Sequence, residues 1–343
     1  MITIKIPIKK TEQVKKFLIQ NNILDQDYRF NKDNKFMYLP TKNYTKTKQK
    51  FKFIKKSNKK LQKKSNKPTT LKQALERKLT KKQLSHLKTA HDTIGNIAIL
   101  EIDKELVKKQ KLIAQTLLKI NKNIKTVLKK SGEHTGVFRT QKLKYLAGIK
   151  TKIATYKENN VILKLDVEKV YFSVRLATER KRIMKQIKKN EEVLVMFSGC
   201  GPYPLTIAKN TQAKHITAIE INPTAHKYAL ENIKLNKINN ITALKGDVKK
   251  QMPKLKTKFD RILMPLPKSA EDFLYLALKA IKPKGIIHFY DFLNDKDIPK
   301  AAIQKIKKAC TKEKKKYKII RHNKCGQFSP HTYRICVDFK VLN

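Results

Sequence analysis

A glycine-containing segment and two acidic residues carry the clearest chemical signal in this sequence. Gly199 and Gly201 follow a continuous apolar strand and precede a predicted helix, where glycine lets the backbone approach a ligand closely. Glu220 lies 19 residues after Gly201, at the end of the next predicted strand, and its carboxylate can accept both hydroxyls of a ribose. Asp247 ends the following strand and can pair with an adenine amine. The carboxyl ends of parallel strands meet at one sheet edge, so together these features predict a nucleoside cofactor site.

Two other interpretations of the same residues stay open on sequence alone. Pro204 stands where a dinucleotide-binding fingerprint has its third glycine, which argues against a pyrophosphate site. Glu220 and Asp247 could instead be N-caps of the helices that follow them.

The elements that must position this site alternate between strand and helix. Such a rhythm predicts a doubly wound parallel sheet, with an antiparallel hairpin from residues 317–320 and 333–341. The predicted strands are 193–197, 216–220, 241–245, 261–264 and 286–290, and the predicted helices are 204–209, 223–235 and 269–281.

The first half of the chain predicts two smaller α/β units. Residues 1–40 have strand, helix and strand patterns, with alternating isoleucines at the start. In the second unit, we expect a helix over 70–87, a turn at 91–95, a strand over 96–102 and a helix over 104–120. The predicted domains are 1–66 with a basic linker, 67–150 and 151–343.

Charge points to a polyanionic partner. The chain has 80 basic and 27 acidic side chains, a net charge of +53, and residues 41–67 hold twelve lysines and no acid. Phosphate neutralisation would use many lysines at once, so we expect nucleic-acid contact. A lysine-rich genome or a thermophilic source is the alternative, but it should raise glutamate as well.

Other classes of protein are less compatible with the composition. No apolar run reaches the ~18 residues of a membrane helix, and the N-terminus does not read as a signal peptide. We therefore expect a cytoplasmic protein without a membrane span. The cysteines form no CxxC pair, so we expect no metal site and reduced thiols, with a disulfide among the last three as the alternative for a hyperthermophile. They are Cys200, Cys310, Cys325 and Cys336.

Five stretches in the second half of the chain form distinctive motifs: YFSVRLATERKRI (171–183), VLVMFSGCGPYP (193–204), EINPTAHKYALENIKLN (220–236), DRILMPLPKSA (260–270) and GIIHFYDF (285–292). These motifs resemble the archaeal and eukaryotic tRNA (guanine-37-N1)-methyltransferase family. HDTIGNIAILEI (91–102), FSPHTYRICVDF (328–339) and the N-terminal unit look similar too, so the resemblance covers nearly the whole chain.

The resemblance implies a fold, a reaction and a set of roles. The fold is a class I S-adenosylmethionine-dependent methyltransferase domain preceded by two smaller α/β domains, and the partner is tRNA, bound by a monomer. Glu179 would be the base for the N1 proton of guanosine-37, and Arg139 would stabilise charge on O6. Substrate contacts would come from Tyr171, Phe172 and Arg175. Cofactor contacts would come from Arg180, Phe197, Gly199, Gly201, Pro202, Glu220, Ile221, Asp247, Val248, Pro265 and Pro267.

Without the resemblance, some of these residues have plainer interpretations. Glu179 could be a surface carboxylate paired with Arg175, and Tyr171 and Phe172 could be core residues. His288 and His331 are interpreted as structural or surface residues.

The sequence departs from the commonest family pattern at Val195, where many members have Asp, and at Pro265, where they have Asn. The MPLP turn looks like one archaeal subgroup, some of whose members also methylate a wyosine precursor, 4-demethylwyosine. It offers no side-chain amide or acid for an exocyclic amine, which favours a ring-atom target with a separate base. The alternatives are an aminocarboxypropyl transferase of the wybutosine pathway, which uses the same cofactor, and a non-catalytic tRNA-binding protein.

Overall fold

The computed structural model describes residues 1–63, 68–266 and 268–343, and its internal contacts divide the chain into two units, Met1–Thr69 and Thr70–Asn343. Among the helices of these described residues, none combines the length and the apolar character that a membrane crossing needs.

The first unit is an antiparallel sheet with helix α1 packed on it. Alternation in β1 buries Ile4 and Ile6 against Val14 and Leu18 of the helix. The strand order is β2-β3-β1-β4. The elements are β1 (Ile2–Pro7), α1 (Thr11–Gln20), β2 (Asn31–Lys32), β3 (Phe36–Thr41), α2 (Tyr44–Lys50) and β4 (Lys55–Ser57).

The basic segment of this unit, residues 41–67, contains a helix and a strand, although its lysine-rich composition is typical of a linker. Helix α2 occupies its start, where the Asn43 side chain accepts a hydrogen bond from the Lys46 N–H group at 2.9 Å. Near the end of this segment, β4 pairs antiparallel with β1. Residues 64–67, at the end of the predicted linker, lie outside the described residues.

The second unit begins with a four-stranded sheet in the order β5-β6-β7-β8, against which α5 packs. The predicted helix at 70–87 is two short helices, each opened by a threonine capping box at Thr70 or Thr80. The turn predicted at 91–95 was wrong, because residues 91–94 form a strand that turns at Gly95. The elements are α3 (Leu71–Leu75), α4 (Lys81–Ser85), β5 (His91–Ile94), β6 (Ile97–Leu100), α5 (Gln110–Ile120), β7 (Thr126–Lys130) and β8 (Leu143–Gly148).

A hairpin and a seven-stranded sheet complete the unit. The sheet order is β13-β12-β11-β14-β15-β17-β16, parallel through β15 and antiparallel at β17 and β16. The strands are β9 (Ile153–Glu158), β10 (Val161–Asp166), β11 (Glu192–Met196), β12 (His215–Glu220), β13 (Ile241–Lys245), β14 (Phe259–Met264), β15 (Ile281–Asn294), β16 (Tyr317–Ser329) and β17 (Thr332–Val341). The helices are α6 (Ala177–Met184), α7 (Pro202–Asn210), α8 (Pro223–Leu235), α9 (Val248–Gln251), α10 (Leu274–Ala280) and α11 (Lys300–Lys312).

This topology confirms the predicted α/β class and fixes where a ligand belongs. The chain runs outward from β11 through β12 to β13, then returns to β14 on the other side of β11. The strand order reverses there, which opens a crevice beyond the carboxyl ends of β11 and β14. The loops after β11, β12, β13 and β14 all meet at this edge.

Candidate active site

The loop between β11 and α7 is shaped by residues in the left-handed region. Gly199 and Gly201 have φ values of 58° and 90°, which glycine adopts at little cost. A Cβ atom on Gly201 would lie 3.0 Å from Leu205 Cδ1, so packing also favours glycine there. Gly201 caps α7 and Pro202 begins it. The loop therefore brings bare backbone to the crevice.

Glu220 ends β12 with its carboxylate turned toward that loop. One oxygen accepts the Gly199 N–H group at 2.6 Å and the other accepts the Asn222 N–H group at 2.7 Å. Burial raises the pKa of Glu220 above its usual value, although hydrogen bonds from backbone N–H groups oppose the shift. The carboxylate has about four acceptor sites, and those that the backbone N–H groups leave free can accept ribose hydroxyls.

The N-cap interpretation is wrong for Glu220 and right for Asp247. Asn222 caps α8, since its side chain accepts hydrogen bonds from the Thr224 and Ala225 N–H groups. Asp247 caps α9 by accepting the Lys249 N–H group at 2.8 Å, and it also lines the cavity described next. One Asp247 oxygen remains for a ligand.

A cavity of about 230 Å³ lies in the crevice, and we call it the cofactor cavity. Gly201 does not line it, and Pro267 lies outside the described residues. Phe273 was missed by the sequence analysis; its ring meets that of Phe197 edge-on, with centroids 4.9 Å apart. The predicted cofactor residues that do line the cavity are Arg180, Phe197, Gly199, Pro202, Glu220, Ile221, Asp247, Val248 and Pro265.

Arg180 reaches the cofactor cavity without a free charge. Its guanidinium is buried, is held by the two carboxylate oxygens of Glu158, and donates to the Ser173 carbonyl at 3.1 Å. It also lies over the Phe172 ring at 5.2 Å. The charge of Arg180 is therefore neutralised by Glu158, and the side chain lines the cavity without offering it a free cation.

A second cavity of about 240 Å³ adjoins the first, and we call it the base cavity. It differs from the cofactor cavity in having more cationic side chains in its wall. Residues lining both cavities are Arg139, Tyr171, Phe172, Ser173 and Leu176. The cations that line only the base cavity are Lys130, Arg175 and Arg334, and its remaining rings are those of His134, Phe292 and Phe328.

Two of the three predicted substrate residues, Tyr171 and Phe172, line both cavities, as does Arg139. Arg139, with φ of 52°, places its guanidinium 5.1 Å from the Tyr171 ring centroid. Burial lowers the pKa of Arg139 from its usual value, and the nearby Arg334 adds to that effect. Phe172 is both wall and core, because it also packs against Tyr156. Arg175 lines only the base cavity and pairs with Asp92 at 2.8 Å.

Glu179 is buried behind the base cavity rather than in its wall. It is 3% exposed, so the surface-carboxylate interpretation is wrong, and its partner is Arg182 instead of Arg175. Arg182 binds both carboxylate oxygens, at 2.7 and 2.8 Å. The Tyr290 hydroxyl donates at 2.7 Å and the Asn323 amide at 3.1 Å.

Glu179 is one end of a buried ionic chain through the sheet. Arg182 bridges Glu179 to Asp338, whose other oxygen is 2.6 Å from His288 Nδ1. Arg261 can only donate to His288 Nε2, so the histidine proton sits on Nδ1 and points at Asp338. Burial lowers the pKa of His288 and keeps the ring neutral. The buried ionic chain comprises Glu179, Arg182, Asp338, His288, Arg261 and Glu191.

The buried ionic chain also bears on metal binding. His288, Cys336 and Asp338 place ligand-type atoms within 4.8 Å of one another. Two guanidiniums, those of Arg182 and Arg261, already bond to the acceptor atoms and would repel a cation. His288 therefore acts in the core as a structural residue, as predicted.

Three family models match successive parts of the chain. The TRM5/TYW2 methyltransferase domain matches residues 154–320, the TYW2 N-terminal domain 71–151, and the tRNA methyltransferase 5 N-terminal domain 3–47. The tRNA (guanine(37)-N(1))-methyltransferase Trm5b of Pyrococcus abyssi is 35% identical over 340 residues, which span 99% of each chain. The chain belongs to the TRM5/TYW2 methyltransferase family. The resemblance in the sequence motifs is thereby confirmed.

Solved structures agree over the full length. The crystal structure of Trm5b from Pyrococcus abyssi has a TM-score of 0.77 and 35% identity, covering 100% of both chains. A structure described as a complex of aTrm5 with tRNALeu has a TM-score of 0.72 and 32% identity, with the same coverage. These members of the TRM5/TYW2 family share the mixed α/β fold described above.

Proposed function

We propose that this protein transfers a methyl group from S-adenosylmethionine to N1 of guanosine-37 in tRNA. The observation that carries the proposal is the shared wall of the two cavities, where Arg139 and Tyr171 face both. A donor in one cavity and a base in the other would meet at this wall. The Trm5b relatives named for this reaction support the assignment.

The residues of the cofactor cavity fit S-adenosylmethionine. Glu220 offers carboxylate oxygens for a ribose, Asp247 an oxygen for an adenine amine, and Val248 an apolar wall for the ring. When bound, this cofactor supplies a methyl group on a positively charged sulfur. The chain's own residues must orient the acceptor, exclude water and take up the N1 proton.

We assign the proton to Glu179 and the O6 charge to Arg139. Glu179 already has four hydrogen-bond donors, so one must leave before it accepts a proton. Asn323, the longest contact, is the donor we expect to move. Cys325 lines the base cavity and interacts with Glu179, so the carboxylate lies close behind the cavity wall. Arg139 faces the cavity without a carboxylate partner among the described residues and can meet the O6 charge.

We further propose that residues 1–66, with their basic segment, dock on tRNA and that residues 67–150 also bind RNA. Residues 151–343 would perform the transfer, and the protein would act as a cytoplasmic monomer. The high positive charge and buried thiols support these assignments. The experiment described next also tests whether 4-demethylwyosine is a substrate.

The test is mass mapping of position 37 after reaction with tRNA carrying either guanosine or the wyosine precursor. We expect a methylated guanosine product. Detection of the heavier aminocarboxypropyl product would instead identify an aminocarboxypropyl transferase of the wybutosine pathway. If calorimetry detects no binding of S-adenosylmethionine, every enzymatic interpretation is wrong.

A further inference from the structure

A buried arginine in the base cavity has donors that the protein does not use. Arg334 lies on β17, is 8% exposed and lines the base cavity. Its Nη2 donates to the Tyr171 hydroxyl at 2.7 Å, and its guanidinium lies 5.1 Å from the Phe292 ring centroid. Its Nε is buried with no hydrogen-bond partner among the described residues. A buried donor without an acceptor costs free energy that a ligand can recover.

The other arginines in the interior of this unit differ in one respect. The buried Arg180 and Arg261 and the partly buried Arg182 each bind a carboxylate at short distance. The hydrogen bond of Arg334 goes instead to a neutral phenol. A guanidinium that is taken from water without an anion is expensive, so the acceptor that completes it must enter through the base cavity.

We infer that Arg334 binds the O6 and N7 edge of the target purine and selects guanine over adenine. This inference rests on the proposed function. Guanine presents two acceptors on that edge, which a guanidinium can bind bidentately. Adenine presents an amino group in place of O6, which would face the donors of Arg334 and Arg139 and repel them.

The aromatic rings of the base cavity distinguish a base from a phosphate, which the cations alone would not. Phe292 and Phe328 are in contact, with ring centroids 4.3 Å apart and ring planes tilted by 33°, and Phe328 is 57% exposed. Tyr171 forms another aromatic wall. Rings of this kind stack on the face of a planar base and offer nothing to a hydrated phosphate. Arg334 then faces the edge of a base that stacks on one of these rings.

The experiment removes the N7 acceptor of guanine and the donors of Arg334 separately. Two tRNAs carry guanosine or 7-deazaguanosine at position 37; the second lacks the N7 acceptor. Single-turnover methyl transfer at saturating cofactor is measured for the wild type, Arg334→Gln, Arg334→Lys and Lys324→Gln. Lys324 is exposed on β16 of the same hairpin, so Lys324→Gln removes one positive charge, as Arg334→Gln does, and serves as the matched control.

For the wild type, we expect 7-deazaguanosine to slow transfer about tenfold or more. Arg334→Gln should be slowed by a similar factor on guanosine and no further on 7-deazaguanosine, because the contact is already absent. Arg334→Lys should keep tRNA affinity yet lose most of the N7 preference. Lys324→Gln should match the wild type on both substrates.

Two results would overturn the assignment: a preference for N7 that survives in both Arg334 variants, or wild-type rates in Arg334→Gln. Folding of each variant is checked by circular dichroism and cofactor binding; if the Gln variant does not fold, Arg334→Lys carries the test. If the wild type itself leaves guanosine-37 unmodified, the proposed function fails and takes this inference with it.

Discussion

Asp338→Asn should weaken the folded state more than an ordinary charge removal. Asp338 is fully buried, and its carboxylate accepts hydrogen bonds from Arg182 at 2.6 and 3.1 Å and from His288 at 2.6 Å. An asparagine keeps the shape but turns an amide donor toward one of these donors. Removing one partner of a buried ion pair costs about 3–5 kcal/mol. Arg182 keeps its contact with Glu179, so we expect a loss near the lower end, about 3 kcal/mol.

The assay is urea unfolding followed by circular dichroism at neutral pH. Asp272→Asn, an exposed change in the same unit, is the control and should stay within about 0.5 kcal/mol of the wild type. Burial opposes the charge of Asp338, but His288 and Arg182 outweigh it and hold its pKa far below the usual range. The contribution of Asp338 is therefore complete above about pH 4 and is lost as the pH falls toward the folded pKa.

The free-energy difference between wild type and Asp338→Asn should accordingly shrink below about pH 4. A difference under about 1 kcal/mol at neutral pH, or one that is unchanged in acid, would refute the view that the buried ionic chain stabilises the sheet.

Three further predictions concern the site and the basic surface. Glu179→Gln should slow single-turnover methyl transfer about a hundredfold or more while leaving cofactor and tRNA affinity intact. Cofactor binding by calorimetry should weaken as the pH falls through the raised pKa of Glu220, because only the ionised carboxylate accepts both ribose hydroxyls; in Glu220→Gln it should be weak and lack that dependence on pH. Replacing the exposed Lys46, Lys50 and Lys52 by glutamine should lower the slope of log tRNA affinity against log salt by about 0.7–0.9 for each phosphate that is no longer neutralised.

Each of these has an outcome that contradicts it. Unchanged single-turnover rates would remove Glu179 from the role of base. Equal pH profiles for wild type and Glu220→Gln would place the ribose elsewhere. The matched control replaces three exposed lysines elsewhere, Lys308, Lys312 and Lys314, by glutamine. A salt slope that is unaltered in the Lys46, Lys50 and Lys52 variant would show that the basic segment does not contact tRNA phosphates.

The sheet and the cofactor cavity were accessible from sequence because their signals are local. The helix at residues 223–235 has the same bounds in the structure, since proline at its first turn and an asparagine cap mark its start. Gly199, Glu220 and Asp247 each end or follow an apolar strand, so strand order alone brings them together.

The buried ionic chain and the base cavity were not accessible in this way. Arg182 and Asp338 are 156 positions apart, and no spacing rule pairs them. In the sequence of β17, Arg334 and Asp338 occupy the polar positions of an alternating strand, which predicts exposure, whereas the structure buries both faces of its centre. Short elements failed for a related reason: the four residues of β5 are held by pairing with β6 rather than by their own propensity.

The parallel strands of the seven-stranded sheet and its antiparallel β16–β17 hairpin contribute to different cavities. Strands β11 to β14 end at the cofactor cavity, whereas the β16–β17 hairpin supplies Phe328 and Arg334 to the base cavity and Asn323 to Glu179. If Arg334 contacts the purine as we infer, substitutions in this hairpin will alter which nucleotide is accepted while the residues around the cofactor cavity stay unchanged. Directed evolution toward new bases should then begin in these last two strands.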